Sequence, residues 1–242
     1  MHMAERVVSH WRGGLTAVPE EVWELPDVAV LVLAGNALAT VPDRIGTLKG
    51  LRTLDLGHNR LARVPDAIGD LTGLDRCLYL HGNRLEELPG TLGRLTRLAY
   101  LNVGENRLRA LPEAIGSMAG LVELRAQHNR LTALPGALGR LGTLRELWLR
   151  GNGLALLPET FGRLGELREL DLRENVFEDV PEALRGLPLL RRLDLRANRL
   201  RRLPAWLAEL PALEKLDLRW NDVGIPPRLL DALRARGCVV LH

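Results

Sequence analysis

The sequence predicts an α/β solenoid, a fold in which short strands and short helical turns alternate along the chain. Three features predict it. A phrase of three apolar positions ending in asparagine recurs nine times, and seven of the eight intervals between the asparagines are 23 residues long, the other 24. A proline follows each asparagine by six residues. The apolar positions nearest the asparagine alternate with variable ones. The asparagines are Asn36, Asn59, Asn83, Asn106, Asn129, Asn152, Asn175, Asn198 and Asn221.

Each repeat is expected to start with a strand. Leu147 and Leu149, which precede Asn152, alternate with variable residues, and this is the periodicity of a strand with one buried face. The asparagine amide both donates and accepts hydrogen bonds. Stacked asparagines are therefore expected to satisfy backbone groups of the turn and of the next repeat.

The second half of each repeat predicts a short helical turn. Proline followed by an acid, as in Pro112 and Glu113, suits a first helical turn, because the missing N–H is not needed there and the carboxylate meets the positive end of the helix dipole. A recurring glycine, such as Gly116, indicates a tight bend or close packing between repeats. Arg185 and Ala208 replace this glycine in the last two turns, which are therefore expected to differ from the others.

The period predicts one domain over residues 1–242, with a cap at each end. Residues 1–27 are expected to form the N-terminal cap, including a degenerate strand near Val7 to Trp11. Residues 28–221 make up nine repeats, and residues 222–242 a C-terminal cap with a short helix and a last strand. The 24-residue interval has one extra residue where the chain enters the third repeat strand, and a β-bulge is expected there.

The repeat resembles the leucine-rich repeat family, and residues 28–221 match its 23-residue intracellular subclass, with the consensus LPxxIGxLxxLxxLxLxxNxLxx. Leu111-Pro-Glu-Ala-Ile115-Gly116-Ser-Met118 shows the half of the repeat that follows the strand. The subclass is familiar from Ras suppressor, from the plant intracellular Ras-group-related repeat proteins and from many bacterial proteins. The resemblance implies a right-handed horseshoe with a concave parallel β-sheet and short helical or 3-10 turns on the convex side.

Composition narrows the class of protein. The net charge of +3 comes from interleaved acids and bases, which does not predict a nucleic-acid partner. The sequence has no apolar run near 20 residues and no signal-peptide core, so no membrane partner is expected. Cys77 and Cys238 fall in one column seven strands apart, beyond disulfide reach. This indicates a reducing compartment, the cytoplasm, or the host cytosol if the chain is a delivered bacterial effector.

The variable strand positions predict a binding surface on the concave face, where residues flanking the core leucines point outward. Aromatic and arginine side chains dominate interface hot spots, and they concentrate in the middle of this face. Aspartates and arginines run side by side in the C-terminal half, where arginine forks suit carboxylates and phosphates. The predicted partner-binding residues are Tyr79, Tyr100, Asn102, Arg125, Gln127, Trp148, Arg150, Asp171 and Arg173.

Other interpretations of these positions stay open. The aromatic side chains could merely cover neighbouring strand backbone. The two charged columns could neutralise one another across strands, which stabilises an exposed surface only slightly. Trp220, beside the last asparagine, could extend the binding surface or cover the cap.

The leading interpretation is a non-enzymatic scaffold or adaptor, expected to be a monomer, that binds a protein or extended peptide on the concave face. The resemblance adds small GTPases and signalling enzymes as a partner class. The alternative is the substrate-recognition domain of a larger enzyme or secreted bacterial effector, of ubiquitin ligase, GTPase or kinase type, without its catalytic part. A repeat protein with no partner is the third hypothesis.

No catalytic activity is expected, because the sequence lacks a Gly-rich phosphate loop, a nucleophile elbow and a distinct pair of carboxylates. His58, His81 and Cys77 lie on neighbouring repeats but have no fourth ligand that converges with them, so neither a metal nor another cofactor is expected.

Overall fold

Eleven strands lie side by side in chain order in one open parallel sheet. This architecture is seen in a computed structural model that describes residues 5–25 and 27–242. The first strand is the degenerate one expected near Val7, and the last lies in the expected C-terminal segment. The strands are β1 (Arg6–Ser9), β2 (Val28–Val32), β3 (Thr53–Asp55), β4 (Cys77–Tyr79), β5 (Tyr100–Asn102), β6 (Glu123–Arg125), β7 (Glu146–Trp148), β8 (Glu169–Asp171), β9 (Arg192–Asp194), β10 (Lys215–Asp217) and β11 (Val239–Leu241).

The convex side is built from 3-10 turns, each of which follows a proline. The prolyl carbonyl accepts the N–H three residues further on, as Pro112 does from Ile115 at 3.0 Å. Each turn is five residues long, because 3-10 geometry is rarely sustained over a longer segment. A single α-helix, α1 (Pro227–Ala235), lies before β11 in the described residues. The turns span Glu20–Glu24, Asp43–Thr47, Asp66–Asp70, Gly90–Arg94, Glu113–Ser117, Gly136–Arg140, Glu159–Arg163, Glu182–Gly186 and Ala205–Glu209.

Close packing between successive turns explains the recurring glycine. A Cβ added at Gly116 would lie 2.3 Å from the carbonyl oxygen of Ala137 in the next turn. The last two turns do differ from the others, as expected. The residue after each of them is extended, with ψ of 107° at Leu187 and 114° at Leu210, whereas ψ at Met118 is 65°.

The leucines of both halves of the repeat meet in one continuous core, and the asparagines seal its edge. Asn106 accepts the backbone N–H of Leu85 and donates to the carbonyls of Leu80, Val103 and Gly104, all at 3.0 Å. Two of these partners belong to the preceding repeat. Each asparagine therefore ties its own turn to the repeat before it, and not to the next repeat as the sequence suggested.

The expected bulge at the 24-residue interval is wrong. The β3–β4 register runs without interruption from Thr53 opposite Cys77 to Asp55 opposite Tyr79. The extra residue is taken up in the segment before β4, outside the β3–β4 register, where Arg76 still donates its N–H to the carbonyl of Arg52 at 3.0 Å. The sheet has its bulge instead between β1 and β2, where the register shifts after Arg6.

The lengthened loop before β4 takes part in a charged network with the N-terminal segment. Arg52 donates two hydrogen bonds to Asp75, at 2.9 and 2.7 Å, and a third to Glu5 at 2.8 Å. Arg76 donates two more to Glu5. These bonds, from Arg76 foremost, lower the pKa of Glu5. The network thus joins the residue before β1 to the segments that precede β3 and β4.

Candidate functional site on the concave face

A row of stacked side chains crosses four strands in the middle of the concave face. Strand alternation buries the leucines and turns Tyr79, Tyr100, Arg125 and Trp148 to the open side. The two tyrosine rings lie 5.1 Å apart. The guanidinium of Arg125 lies 5.8 Å from the Tyr100 ring and 5.2 Å from the Trp148 ring. We call these four residues the aromatic row.

The aromatic row is fixed by its own contacts. Glu123 accepts a hydrogen bond of 2.5 Å from Nε of Arg125, which keeps the guanidinium between the two rings. All four side chains of the row remain partly exposed. The side chains therefore cover one another and still present an ordered aromatic and cationic surface.

Two histidines continue the row towards the N-terminal half. The ring of His81 lies 6.0 Å from that of Tyr79 and 4.6 Å from that of His58. Burial, and then the neighbouring His58, lower the pKa of His81. The described part of the chain contains no group of three or more histidine, cysteine, aspartate or glutamate residues that could bind a metal ion.

Asn102 is buried, and its side-chain amide hydrogen-bonds the backbone just after strand β5. Its Oδ1 accepts the N–H of Gly104 at 3.0 Å, and its Nδ2 donates to the Tyr100 hydroxyl at 3.4 Å. The side chain of Gln127 lies against Gly104, where an added Cβ would be 2.6 Å from Nε2. Carboxylates elsewhere in the same column accept the N–H two residues on in the same way, at Asp55, Asp171, Asp194 and Asp217.

The charged columns of the C-terminal half pair chiefly within a strand. Arg196 donates to Asp194 and Arg219 to Asp217, with shortest distances of 2.5 and 2.7 Å. One contact, of 3.4 Å from Arg196 to Asp217, crosses between strands. The expected neutralisation is therefore present, but in a different direction, because residues two apart on one strand share a face.

The pKa values of two aspartates of this column are shifted in opposite directions. Asp171 is 5% exposed, and burial together with the charge of Asp194 raises its pKa. Burial alone would also raise the pKa of Asp217, but hydrogen bonds from Arg219 and the charge of Arg196 outweigh it and lower that pKa. Asp171 is thus the less well compensated of the two carboxylates.

Buried polar atoms without a partner gather at this site. Of the five such side-chain atoms in the described residues, four lie on the concave side between β4 and β8, and the fifth belongs to Trp206 in the last convex turn. Buried polar groups are nearly always hydrogen-bonded, so the cluster calls for an explanation. The four atoms are His81 Nδ1, Gln127 Oε1, Trp148 Nε1 and Arg173 Nε.

The predicted partner-binding residues do not include His81, and the sequence left two roles open for Trp220. The sequence does contain a signal for His81, because it occupies the same outward position of its repeat as Gln127 and Arg150. Trp220 is 71% exposed, so it does not cover the cap, and its φ of 61° is unusual for a bulky residue. The guanidinium groups of Arg196 and Arg219 lie 5.8 and 5.7 Å from its ring.

Sequence comparison identifies the family. The model of the leucine rich repeat matches residues 26–85, 76–131, 142–200 and 179–223, which is more than half of the chain. The chain therefore belongs to the leucine-rich repeat family. No curated protein matches it. Among the described residues, no helix is long and apolar enough to cross a membrane.

Solved structures support the same assignment. A leucine-rich repeat protein of Leptospira interrogans is 29% identical, with a TM-score of 0.83 over 94% of this chain and 63% of that one. The plant peptide hormone receptor RGFR1, in complex with RGF2, is 29% identical, with a TM-score of 0.81 over 93% and 37%. The ectodomain of the Arabidopsis thaliana receptor kinase GASSHO1/SCHENGEN3, in complex with CASPARIAN STRIP INTEGRITY FACTOR 2, is 30% identical, with a TM-score of 0.78 over 93% and 28%. The chain thus spans less than two thirds of each of these proteins.

Proposed function

We propose that this chain is a recognition module that binds an extended segment of a protein or peptide on its concave face, between β4 and β8. The cluster of four unpaired buried polar atoms on that face carries the proposal. A bound backbone offers donors and acceptors at regular intervals, so it can pair groups that the protein itself leaves unpaired.

The aromatic row supports the same surface. Its side chains lose little further freedom on binding, because Arg125 is already ordered between Tyr100, Trp148 and Glu123. Ordered aromatic and arginine side chains bind with a small entropy cost and are typical of hot spots. The row crosses four strands, so it is suited to a ligand that runs along the solenoid.

The solved relatives support a peptide or protein as the ligand class. RGFR1 is in complex with RGF2, and the receptor ectodomain from Arabidopsis thaliana with CASPARIAN STRIP INTEGRITY FACTOR 2. Their folds match this chain over 93% of its length. The shared architecture supports a similar ligand class here.

Within this class, we place the chain as a monomeric cytoplasmic scaffold without catalytic activity of its own. Cys77 and Cys238 are both free, which agrees with a reducing compartment. Small GTPases and signalling enzymes are the partner class that the repeat subclass suggests. The second candidate is the recognition domain of a larger enzyme or effector, favoured by the plant relatives, of whose chains this chain spans 28–37%.

The test is binding by a variant of the aromatic row. Linear 12-residue peptides are selected from a random displayed library against the wild-type chain, and their Kd values are measured by fluorescence anisotropy. Replacing Tyr100, Arg125 and Trp148 together with alanine should weaken binding at least about a hundredfold, because each is a potential hot spot.

The matched control replaces three exposed arginines of the convex turns, Arg94, Arg140 and Arg163, with alanine. This variant should keep wild-type affinity, and both variants should unfold at nearly the wild-type temperature. Selected peptides that bind the aromatic-row variant as tightly as the wild type would contradict the proposal.

A further inference from the structure

Arg173 differs from the other arginines of its column. Arg150 donates from Nε to Glu174 at 3.0 Å, and Arg196 and Arg219 each bind the aspartate two residues before them. Nε of Arg173 forms an ion pair with Oδ2 of Asp171 at 3.1 Å, without a hydrogen bond between the two atoms. Among the described residues, this guanidinium is therefore the member of the column without a hydrogen-bonded acid.

A second unused donor lies on the neighbouring strand. Nε1 of Trp148 is buried and has no acceptor in the described structure. Trp148 follows the core leucine of β7, and Arg173 lies two residues past the end of β8. Trp148 lies opposite Asp171 in the sheet, so Arg173 is its diagonal neighbour, and both side chains line the same concavities.

Trp148, Asp171 and Arg173 line two concavities, one on the side of Gln127 and one on the side of Arg196. Each has a volume of about 240 Å³, below the range of most small-molecule sites. Concavities of this size accommodate one side chain of a larger ligand. We call the site formed by the Trp148 and Arg173 donors between these concavities the donor notch.

We propose that the donor notch binds the carboxylate of an aspartate or glutamate side chain in the bound segment. This inference rests on the proposed function. Arginine binds carboxylates through two parallel donors, and the indole N–H adds a third. In the complex, the partner's carboxylate takes the hydrogen bonds of Arg173 that Asp171 leaves unmade.

The surroundings favour a side-chain carboxylate over other anions. Asp171 faces the notch, so a phosphate group with nearly two negative charges would be repelled more strongly than a carboxylate with one. The concave face also continues on both sides of the notch, with the aromatic row on one and the paired columns on the other. A segment that passes through can use both sides, whereas a chain terminus would cover only one.

The test is a double-mutant cycle with peptides selected against the wild-type chain and synthesised with an amidated C-terminus. Each aspartate or glutamate of a peptide is replaced in turn by asparagine or glutamine. At one position, the replacement should weaken binding about tenfold in the wild type, the usual effect of a charge-assisted hydrogen bond. In Arg173→Gln, the same replacement should change Kd less than about twofold.

Two further variants make the assignment specific. Arg219→Gln removes an arginine of the same column whose hydrogen bonds go to Asp217, and it should keep the full tenfold effect. Asp171→Asn removes the competing charge and keeps an oxygen for the N–H of Arg173, as Asn102 does for Gly104. It should tighten binding of the acidic peptide a few-fold more than it changes binding of the amide peptide.

The outcomes separate the two proposals. If no acidic position is coupled to Arg173, or if only peptides with a free C-terminal carboxylate bind, the donor notch is not a side-chain carboxylate site. If the aromatic-row variant nevertheless loses binding, the proposed function stands and only the notch is overturned. If that variant also keeps binding, both proposals fail.

Discussion

The aspartates of the concave face show how two identical residues in one column come to have pKa values shifted in opposite directions. Asp217 accepts hydrogen bonds from the backbone and the guanidinium of Arg219, while Asp171 accepts one bond from the backbone of Arg173. Both carboxylates are buried, so the number of donors decides whether the charged form is favoured.

The two aspartates therefore predict opposite responses to pH. The folded-state pKa of Asp217 is lowered from its ordinary value of 3.8, so its charge contributes stability above pH 3.8 that is lost as the pH falls further. The pKa of Asp171 is raised, so its ionised form destabilises the fold at neutral pH, and this cost disappears as the pH falls towards 3.8.

Chemical denaturation of the two asparagine variants at several pH values measures these effects. At neutral pH, Asp217→Asn should lower the free energy of unfolding and Asp171→Asn should raise it. Both differences from the wild type should shrink in acid. A decrease of the same size in both variants at neutral pH would mean that the two carboxylates are equally compensated.

At the scale of the element, the 3-10 turns succeed one another too closely for any side chain at the recurring glycine. Gly116→Ala places a Cβ 2.3 Å from the carbonyl oxygen of Ala137. Because this oxygen belongs to the backbone, no side-chain rotation can relieve the clash. We expect it to lower the free energy of unfolding by about 1–3 kcal/mol, the usual cost of overpacking. Thermal and urea unfolding measure this.

Gly142 provides the matched control for this substitution. It follows the turn Gly136–Arg140, and a Cβ there would meet no atom within 4 Å. Gly142→Ala should leave stability unchanged within about 0.5 kcal/mol, as for most surface substitutions. Equal losses in the two variants would show that backbone freedom, and not the packing of the turns, accounts for the glycine column.

The elements also show what the sequence could predict. The period and the alternating leucines predicted every strand. This pattern specifies the register, because a slip of one residue would turn all the core leucines of a strand to the exposed face. The fate of the residue inserted before β4 was not predictable, because a bulge and a longer loop have the same sequence. The hydrogen bond from the Gly104 backbone to Asn102 was not predictable either. A polar residue at an outward strand position looks the same in the sequence whether it contacts a partner or its own backbone.

The same limit applies to the donor notch. The sequence placed Trp148 and Arg173 on the concave face, where the structure has them. It could not distinguish Arg173 from Arg196 and Arg219, because all three follow an aspartate by two residues. The difference is one of hydrogen-bond geometry, which depends on how the side chains turn on the surface.

At the scale of the whole molecule, each strand pairs only with its neighbours in the sequence. Stability in such a solenoid is close to a sum of repeats and their interfaces, so the ends open more easily than the middle. Amide hydrogen exchange should therefore be slowest in β5 to β7 and faster towards β1 and β11, by at least about a hundredfold. Uniform protection along the sheet would indicate one global unfolding unit instead.

The unbroken register from β2 to β11 has a consequence for how such a molecule can change. Duplicating one 23-residue unit between β5 and β6 would move Tyr100 away from Arg125 by a single strand spacing, about 4.8 Å, with every side chain still facing the same way. The distance between contact points on the inner face is therefore adjustable only in whole steps. A longer bound segment can therefore be accommodated by duplicating one repeat in the gene, without substituting any existing side chain.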